Sequence, residues 1–355
     1  MSDIQKELPN LLPQIMASPR LYLHSLDLAK HAALLVDADE NFYRNAIVLD
    51  QRALGPNTTS AWIPLELLWR HVDAAATGTM ATARFIFDAG CSGANLISRL
   101  LDGIPPILGL REPLVLRTLA TGFHGRADSP GTGFEDLFRR GCQLLLRRFS
   151  SQQQIIIQPG SMCNNLAAVL LAQNPLNRGI LLFVKLEVFL ARMLAREDDG
   201  DIDRLLAHRA ACLGKIVPDL DVDIAALAQS EKMALSWLTE AAQFYQLTGR
   251  GLAPRVLLLD FDRFLARKED HLEQILRHFS IPAGPGVLDK VLSSGVFDPR
   301  STPPDPDRTP FVREQSLNAS RAGHGSAISA GMRFVESLMK THPDLREIPQ
   351  KIPLA

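Results

Sequence analysis

Short apolar segments recur along the chain, and polar residues hardly interrupt them. They are Phe85-Ile86-Phe87, Ile155-Ile156-Ile157, the run at 180–184, and Val256 to Leu259. A near-continuous apolar run is typical of a strand that is buried on both faces, whereas a half-exposed strand alternates. Longer segments with helical periodicity separate the runs. The pattern therefore predicts an α/β fold, a three-layer α/β/α sandwich whose sheet is mainly parallel and whose connections are right-handed.

The spacing of apolar residues between the later strands predicts long helices. One apolar stripe runs from Met233 through Trp237 to Tyr245, and another runs from Leu272 to Phe279. Apolar residues three and four positions apart share one face of a helix, so we expect both faces to belong to the core. A last helix is predicted from Gly331 to Lys340.

Shifts in pattern divide the chain into three regions. Leucine and alanine residues of 1–80 recur at near-helical spacing and predict a helical N-terminal region packed on the core, with Ile47-Val48-Leu49 as one short strand. Residues 81–290 hold the α/β core. Residues 291–355 form a C-terminal extension. It contains the proline-rich segment DPRSTPPDPDRTPF, which is typical of an extended linker or lid, and the predicted last helix.

The overall charge is close to neutral, which limits the classes of partner. The 355 residues carry a formal net charge of −1, and 46% are hydrophobic, enough for a substantial core. Without an excess of basic residues we expect neither nucleic acid nor a membrane surface as a partner, so local charge must meet any anionic ligand. The N-terminal residues lack the apolar core of a signal peptide, and no apolar run approaches the ~18 residues that a membrane helix needs.

Cysteine and acidic residues do not form a recognisable metal motif. The four cysteines, which form no CxxC pair, are Cys91, Cys142, Cys163 and Cys212. Isolated cysteines favour reduced thiols in a cytoplasmic protein over a disulfide framework or a zinc site. Asp199, Asp201 and Asp203 alternate as in a calcium loop, but the glycine and the glutamate of an EF-hand are absent. We therefore predict no metal site.

The segment with the most chemical information is RFIFDAGCSGANLISRLL, residues 84–101. A buried strand ends in a turn of small residues after Asp88, and a helix with apolar periodicity starts near Ala94. Such a strand, turn and helix present backbone N–H groups at the helix N-terminus, where phosphate or sulfate binds readily. The residues of the predicted anion site are Gly90, Cys91, Ser92, Gly93, Ala94 and Asn95.

Other interpretations of this loop have less support. The lysine and hydroxyl of GxxxxGK[ST] are absent, which disfavours a magnesium-dependent nucleotidase or kinase, and there is no GxGxxG for a dinucleotide. Cys91 lies where a thiol is readily activated, but no histidine and aspartate accompany it, so covalent catalysis is disfavoured. A glycine turn that binds nothing is the plain alternative.

These segments together resemble the sulfotransferase family, and its bacterial members in particular, over residues 80–280. The first loop of the family reads approximately P-R/K-S-G-T-T-x-L, and the corresponding residues here read GCSGANL, with Ser92 and Gly93 in matching positions. Cys91 stands where a basic residue is usual, and Ala94 and Asn95 replace the hydroxyl pair. The resemblance implies a P-loop-type fold and, as sulfuryl donor, 3′-phosphoadenosine 5′-phosphosulfate held on this loop.

The block LREPLVL, residues 110–116, carries a second part of the resemblance. A glutamate after the second strand serves as the acceptor base in the family, which implies this role for Glu112. The segment GFHGR adds His124 as a second candidate base on its own chemistry. In IIIQPGS, residues 155–161, Gln158 stands where relatives usually have lysine.

The block LLFVKLEVFLARML, residues 181–194, resembles the strand and helix that hold the 3′-phosphate of the donor. The positions of the usual arginine and serine hold Val184 and Arg192. Lys185 and Arg192 are then the residues expected to supply the positive charge for that phosphate.

The resemblance implies a cytoplasmic enzyme that transfers a sulfuryl group from this donor to a hydroxyl or amine of a small-molecule acceptor, without a metal. The changed basic positions leave a second hypothesis open, a degenerate relative that keeps the fold and serves binding, assembly or another reaction. The sequence does not identify the acceptor, and both a monomer and a homo-oligomer are open.

Overall fold

The structure is a computed structural model that describes residues 10–75, 80–124, 132–195, 202–249, 251–297 and 310–354. The chain divides into two compact units. The first comprises Met1–Phe85 and Leu101–Arg178, and the second comprises Ile86–Leu100 and Gly179–Ala355.

Strands and helices alternate through most of the described chain. The strands are β1 Leu21–Asp27, β2 Ala32–Asp37, β3 Ser60–Pro64, β4 Arg84–Asp88, β5 Ile107–Arg111, β6 Gln154–Gln158, β7 Arg178–Phe183 and β8 Val256–Asp260. The α-helices are α1 Glu40–Asn45, α2 Leu65–Ala75, α3 Ala94–Asp102, α4 Leu114–His124, α5 Thr132–Leu145, α6 Ala167–Ala172, α7 Leu186–Leu194, α8 Ile202–Ile216, α9 Gln229–Gly249, α10 Phe261–Ala266, α11 Lys268–Phe279, α12 Val287–Leu292, α13 Pro310–Thr341 and α14 Ile348–Lys351. Short 3-10 helices are Leu12–Gln14, Gln51–Ala53, Ser161–Leu166, Ile224–Ala226, Ala253–Arg255, Gly295–Phe297 and Pro343–Leu345.

The main sheet has five strands in the order β5-β6-β4-β7-β8. In the first unit β5 and β6 are parallel from Ile107 opposite Gln154 onward, and the start of β4 is parallel to β6. In the second unit β7 and β8 are parallel along their length. Each predicted apolar run lies in a strand of this sheet, except that Val184 of the run at 180–184 follows the end of β7. The predicted α/β class, with a mainly parallel sheet flanked by helices, is confirmed.

The N-terminal region differs from the mostly helical prediction. It contains a separate antiparallel sheet in the order β1-β2-β3. In the sequence, helix α1 lies between β2 and β3, and helix α2 follows β3. The turn between β1 and β2 explains the difference, because Asp27 Oδ1 accepts the N–H of Lys30 and His31 adopts a left-handed φ of 50°. These local interactions end β1 and reverse the chain, so that a strand pair forms in place of a helix. Leucine spacing alone does not reveal them.

The predicted strand at Ile47-Val48-Leu49 is also corrected. These residues form a bend, and the bend is tied to the end of β5 by single backbone bonds. The Leu49 N–H donates to the Arg111 carbonyl at 2.6 Å, and the Leu114 N–H donates to the Leu49 carbonyl at 3.2 Å. Val48 and Leu49 are buried without a continuous ladder, whereas Ile47 is exposed.

The predicted helices of the second half are confirmed. The stripe from Met233 to Tyr245 lies in α9, the stripe from Leu272 to Phe279 lies in α11, and residues 331–340 lie within α13. The proline-rich segment predicted as a linker or lid falls largely on residues 298–309, which are outside the described residues.

A buried arginine fixes the end of β5 in the first unit. Arg111 is 1% exposed, and its guanidinium donates to the carbonyls of Tyr43, Arg44 and Ala46 and lies 3.2 Å from an Asp102 oxygen. A buried cation is tolerated only when its donors are satisfied in this way. The residue after Arg111 is therefore held in one position.

Candidate functional site

The turn after β4 is built by hydrogen bonds within the second unit. The Asp88 carboxylate accepts the N–H of Gly90 at 2.9 Å, and the Ala89 N–H donates to the Leu182 carbonyl of β7 at 2.9 Å. The first bond closes an Asx turn, which is the local preference of aspartate. Asp88 therefore has a structural role in shaping the predicted anion loop.

Three residues of this loop adopt positive φ: Gly90 at 88°, Cys91 at 52° and Gly93 at 68°. Glycine adopts such angles freely, whereas for a residue with a side chain the left-handed region is unfavourable by about 1–2 kcal/mol. A Cβ at Gly93 would lie 2.0 Å from two ring carbons of Phe261, so only glycine fits there. The conformation of the turn thus favours glycine at position 90, and its packing requires glycine at position 93.

The ring that closes on Gly93 is itself held in place. Phe261 is fully buried, and the Arg313 guanidinium of α13 lies 5.1 Å from its ring centroid. Arg313 Nε lies 2.8 Å from an oxygen of Asp262. The turn is therefore packed against a fixed aromatic face.

The loop ends at helix α3 with polar groups that the fold does not satisfy. The first intrahelical bond runs from the Ile97 N–H to the Gly93 carbonyl, so the N–H groups of the three preceding residues have no acceptor within the helix. Ser92 is 1% exposed, and among the described residues its hydroxyl has no hydrogen-bond partner; the same holds for Asn95 Oδ1. Buried polar groups are usually paired, and the oxygen of an anion bound at this helix N-terminus would accept the hydrogen of the Ser92 hydroxyl.

Cys91 contributes a thiol at the position where the donor loop of the sulfotransferase family, which this loop resembles, has a positive charge. Its Sγ lies 3.6 Å from Met193 Sδ on α7, and the residue is partly exposed. A contact between two soft sulfur atoms packs the loop without adding charge. The charge that a bound anion needs must therefore come from other residues.

One candidate source was missed by the sequence analysis. Arg209 of α8 is 2% exposed, and its Nη2 lies 4.0 Å from the position that a Cβ at Gly90 would occupy. Its Nε lies 2.8 Å from Glu240 Oε1, and its Nη1 donates to the Ser236 hydroxyl. The sequence signal is weak because an arginine within HRAACLGK reads as an ordinary helix surface residue.

Lys185 and Arg192, expected to hold a 3′-phosphate, lie at the two ends of α7 in the second unit. Lys185 is the N-cap residue of this helix, and Arg192 lies in its last turn. Arg192 Nη1 donates to the Ser316 hydroxyl of α13 at 3.2 Å. Their helix also reaches the loop, because a Cβ at Gly90 would be 3.3 Å from the ring of Phe189.

Glu112 follows β5 in the first unit and has an unusual backbone conformation. Its φ is 47°, and its N–H donates to the Gln158 carbonyl at 2.7 Å. The Gln158 side chain donates through Nε2 to Glu112 Oε1 at 3.5 Å, and a Cβ at Gly160 would be 3.2 Å from Glu112 Cγ. A non-glycine residue held at positive φ beside a glycine is typical of a functional turn.

The surroundings of Glu112 make its carboxyl easier to protonate. Burial raises its pKa, the cations Arg52 and Arg117 act to lower it, and Asp50 raises it further. The bond from Gln158 lowers it in addition, but the net direction is upward. A carboxyl with a raised pKa is suited to accept a proton near neutral pH.

The second candidate base is His124. It is the last residue of α4 in the first unit, and its side chain lies outside the described residues. Its role as a base stays a prediction.

The described part of the chain is also informative about metal sites and membrane spans. There, no three side chains among His, Cys, Asp and Glu cluster as a metal site requires. Asp199 and Asp201 of the alternating acidic segment lie outside the described residues. None of the helices in the described ranges combines the length and the apolar character that crossing a bilayer requires.

Comparison with models of known protein families finds no match, and comparison with curated proteins finds none. Among solved structures, the chain is similar to the sulfotransferase STF9 from Mycobacterium avium, with 12% identity, a TM-score of 0.41 and coverage of 90% of this chain and 95% of that one. It is also similar to the sulfotransferase STF1 from Mycobacterium tuberculosis H37Rv, with 11% identity, a TM-score of 0.37 and coverage of 64% and 77%. A third likeness is to the sulfotransferase domain of the Synechococcus PCC 7002 olefin synthase, with 12% identity, a TM-score of 0.36 and coverage of 68% and 94%. These likenesses are distant, and the functional proposal rests instead on residues of the chain itself.

Proposed function

We propose that this chain transfers a sulfuryl group from 3′-phosphoadenosine 5′-phosphosulfate to a hydroxyl or amine of a small molecule. The observation that carries the proposal is the turn after β4. Its N–H groups at the start of α3 lack intrahelical acceptors, and the buried hydroxyl of Ser92 lacks a partner among the described residues. The oxygens of a phosphosulfate would satisfy both kinds of donor. The resemblance of GCSGANL to the sulfotransferase donor loop selects this anion from among others.

The loop would stabilise charge during transfer. The migrating group carries negative charge on its peripheral oxygens, and charge grows on the phosphate oxygen that leaves. Donors that are already positioned stabilise this charge without reorganising. The left-handed residues Gly90, Cys91 and Gly93 fix the direction of the backbone N–H groups before any ligand binds.

Glu112 would act as the base. As the acceptor oxygen or nitrogen attacks sulfur, its proton passes to the Glu112 carboxylate. The bond between sulfur and the bridging phosphate oxygen breaks, and adenosine 3′,5′-bisphosphate leaves with the electron pair. The upward direction of the Glu112 pKa favours this role, because a base is most effective when its pKa lies near the working pH.

Lys185 and Arg192 would supply charge to the 3′-phosphate. Lys185 is the N-cap of α7 and Arg192 lies in its last turn. Met193 of this helix contacts Cys91, and the Phe189 ring lies 3.3 Å from the Cβ position of Gly90. Arg192 is already oriented by its hydrogen bond to Ser316. We therefore assign the 3′-phosphate to the side of the loop that faces α7.

Calorimetric titration with adenosine 3′,5′-bisphosphate tests the donor site, with and without magnesium. We expect micromolar affinity that does not depend on magnesium and that falls about tenfold in Ser92→Ala, where one hydrogen bond to a charged group is lost. Ser98→Ala is the matched control, because Ser98 is also buried and its hydroxyl also has no hydrogen-bond partner in the described ranges, but it lies further along α3. Equal losses in both variants, or no binding by the folded protein, would contradict the proposal.

A second candidate, a relative that binds without transferring sulfate, is favoured by Cys91 and Gln158, which stand where the family usually has basic residues. Transfer to a panel of hydroxyl and amine acceptors separates the two. Bisphosphate binding without turnover, and turnover gained by combining Cys91→Lys with Gln158→Lys, would indicate a decayed enzyme. Turnover by the unmodified chain would favour the first proposal.

A further inference from the structure

The predicted anion loop contains no positive charge of its own. Between Ala89 and Leu96 the sequence has no lysine or arginine, and Asp88 before it is acidic. A helix N-terminus stabilises an anion only modestly, and a phosphosulfate carries several negative charges. A site of this kind needs a cation from another part of the fold.

Arg209 is the buried cation that the loop approaches. In the second unit, Gly90 presents its bare Cα toward this guanidinium, since a Cβ would lie 4.0 Å from Arg209 Nη2. Of the charged side chains that the structure describes, no other lies within 4 Å of that position. The guanidinium therefore lies close to the loop backbone at Gly90, beside the Phe189 ring, which is 3.3 Å from the same Cβ position.

The arginine is held so that one edge of its fork is available. Nε lies 2.8 Å from Glu240 Oε1 in an ion pair without forming a hydrogen bond, Nη1 donates to Ser236, and among the described residues no hydrogen bond of Nη2 is found. Glu240 is 1% exposed, so both members of the ion pair are buried. A guanidinium anchored through two nitrogens loses little freedom when the third binds an oxygen.

We infer that Arg209 binds the anionic group held by the Gly90–Gly93 turn and supplies the charge that Cys91 does not. The inference rests on the proposed function for the identity of the ligand but not for the presence of an anion. It adds a ligand-contacting residue from α8 to a site whose other members lie on the loop, α3 and α7.

Alkylation of Cys91 by iodoacetamide reports whether the loop is occupied. Cys91 is partly exposed, whereas the other three cysteines are buried, and burial raises the pKa of Cys142 and Cys212 to about 12. An anion on the loop shields the neighbouring thiol and slows its alkylation. The two probes are inorganic sulfate and adenosine 3′,5′-bisphosphate, each titrated until Cys91 is protected, with modified residues identified by mass spectrometry.

The informative variant combines Arg209→Met with Glu240→Gln, so that neither charge is left buried alone. Arg209→Lys is a second variant that keeps the charge but loses the fork, and Lys215→Met, which removes an exposed cation from the same helix, is the control. We expect the double variant to need at least about tenfold more of either probe for protection. We expect Arg209→Lys to need an intermediate concentration, and the control to match the parent protein.

The possible outcomes separate this inference from the proposed function. Equal protection of the parent and both Arg209 variants, with their folds intact by circular dichroism, overturns the role of Arg209 alone. Protection by sulfate that depends on Arg209, without any effect of the bisphosphate, supports Arg209 and overturns the nucleotide donor. No protection of the parent protein by either probe overturns both.

Discussion

The turn after β4 and the turn after β5 share a backbone conformation but are stabilised by different forces. Cys91 in the first has a φ of 52°, and Glu112 in the second has a φ of 47°. Around Cys91 the contacts are steric: Phe261 against Gly93, and Met193 against the thiol. Around Glu112 they are electrostatic, with Arg52, Arg117, Asp50 and Gln158 acting on one carboxyl.

This difference indicates how the tasks divide. A turn that binds an anion through its backbone must have a fixed shape, and close packing provides it. A turn that handles a proton must have a tuned pKa, which burial and neighbouring charges provide. Changes of volume should therefore disrupt the first turn, and changes of charge or hydrogen bonding should disrupt the second.

The largest effect is expected for Gly93→Ala. The added Cβ would be 2.0 Å from the buried ring of Phe261 and would also occupy a positive φ of 68°. Overpacking and the unfavourable backbone together should lower the free energy of unfolding by about 3 kcal/mol or more. Urea unfolding followed by circular dichroism measures the change.

Gly214→Ala is the matched control for that variant. Gly214 is an exposed helical glycine in α8 of the same unit, and an added Cβ there meets nothing within 4 Å. Alanine should stabilise the helix by about 0.5–1 kcal/mol. Equal stability of Gly93→Ala and Gly214→Ala would contradict the close packing of Phe261 against the turn.

The part of the fold that the sequence predicted is the part whose pattern is local. Runs such as Ile155-Ile156-Ile157 are short and apolar throughout, and each lies in a strand of the parallel sheet. The small antiparallel sheet was missed because Leu21, Leu23 and Leu26 fit a helix as well as a strand. Its first turn depends on the left-handed His31 and the Asp27 side chain, which apolar spacing does not encode.

The second largest effect is expected for Glu112→Gln. If Glu112 is the base, turnover should fall about 100-fold, a typical contribution of general base catalysis, while the affinity for adenosine 3′,5′-bisphosphate stays unchanged. This fall corresponds to about 2.7 kcal/mol in the activation free energy. Steady-state kinetics and titration together separate the two effects, and a loss of donor affinity equal to the loss of turnover would contradict the role.

Glu112→Gln should also change how stability depends on pH. Because the pKa of Glu112 is raised in the folded state, the folded protein binds more protons than the unfolded chain, so stability falls as the pH rises from the unfolded pKa through the folded one. The variant lacks this fall. The difference in stability between the variant and the parent should therefore favour the variant more at neutral pH than at pH 4. Glu66→Gln, whose side chain is 89% exposed, should show no such difference.

Candidate site residues could be predicted only where their place in the sequence also indicates their place in the fold. The anion loop and Glu112 follow directly after strands, so their positions could be read from the chain. Arg209 could not be found in this way, since its proximity to Gly90 arises from the packing of α8 in the second unit. A buried arginine in a helix has the same local sequence as an exposed one.

A smaller effect is expected for Gly160→Ala. Its φ is 82°, and an added Cβ would be 3.2 Å from Glu112 Cγ, so the carboxyl side chain must shift by a few tenths of an ångström. The unfolding free energy should fall by about 1–2 kcal/mol, the usual result for a non-glycine residue at positive φ. Gly133→Ala, where an added Cβ meets nothing within 4 Å, is the control in the same unit. A loss of turnover without any loss of stability would mean that Gly160 positions Glu112 only.

The smallest effect, and the sharpest test of the electrostatic turn, comes from two changes at Gln158. Its Nε2 donates to Glu112 Oε1, and this bond lowers the pKa of the carboxyl. Gln158→Leu removes the donor and should raise that pKa, whereas Gln158→Lys places a cation beside the carboxyl and should lower it. The acid limb of the pH–rate profile should therefore move toward higher pH in the first variant and toward lower pH in the second, with plateau rates within about threefold of the parent. The opposite directions matter because substitutions that only disrupted the turn would slow both variants. Their pH–rate profiles would then not move in opposite directions. Shifts in the same direction would show that another group titrates, and His124 would then be the next base to change.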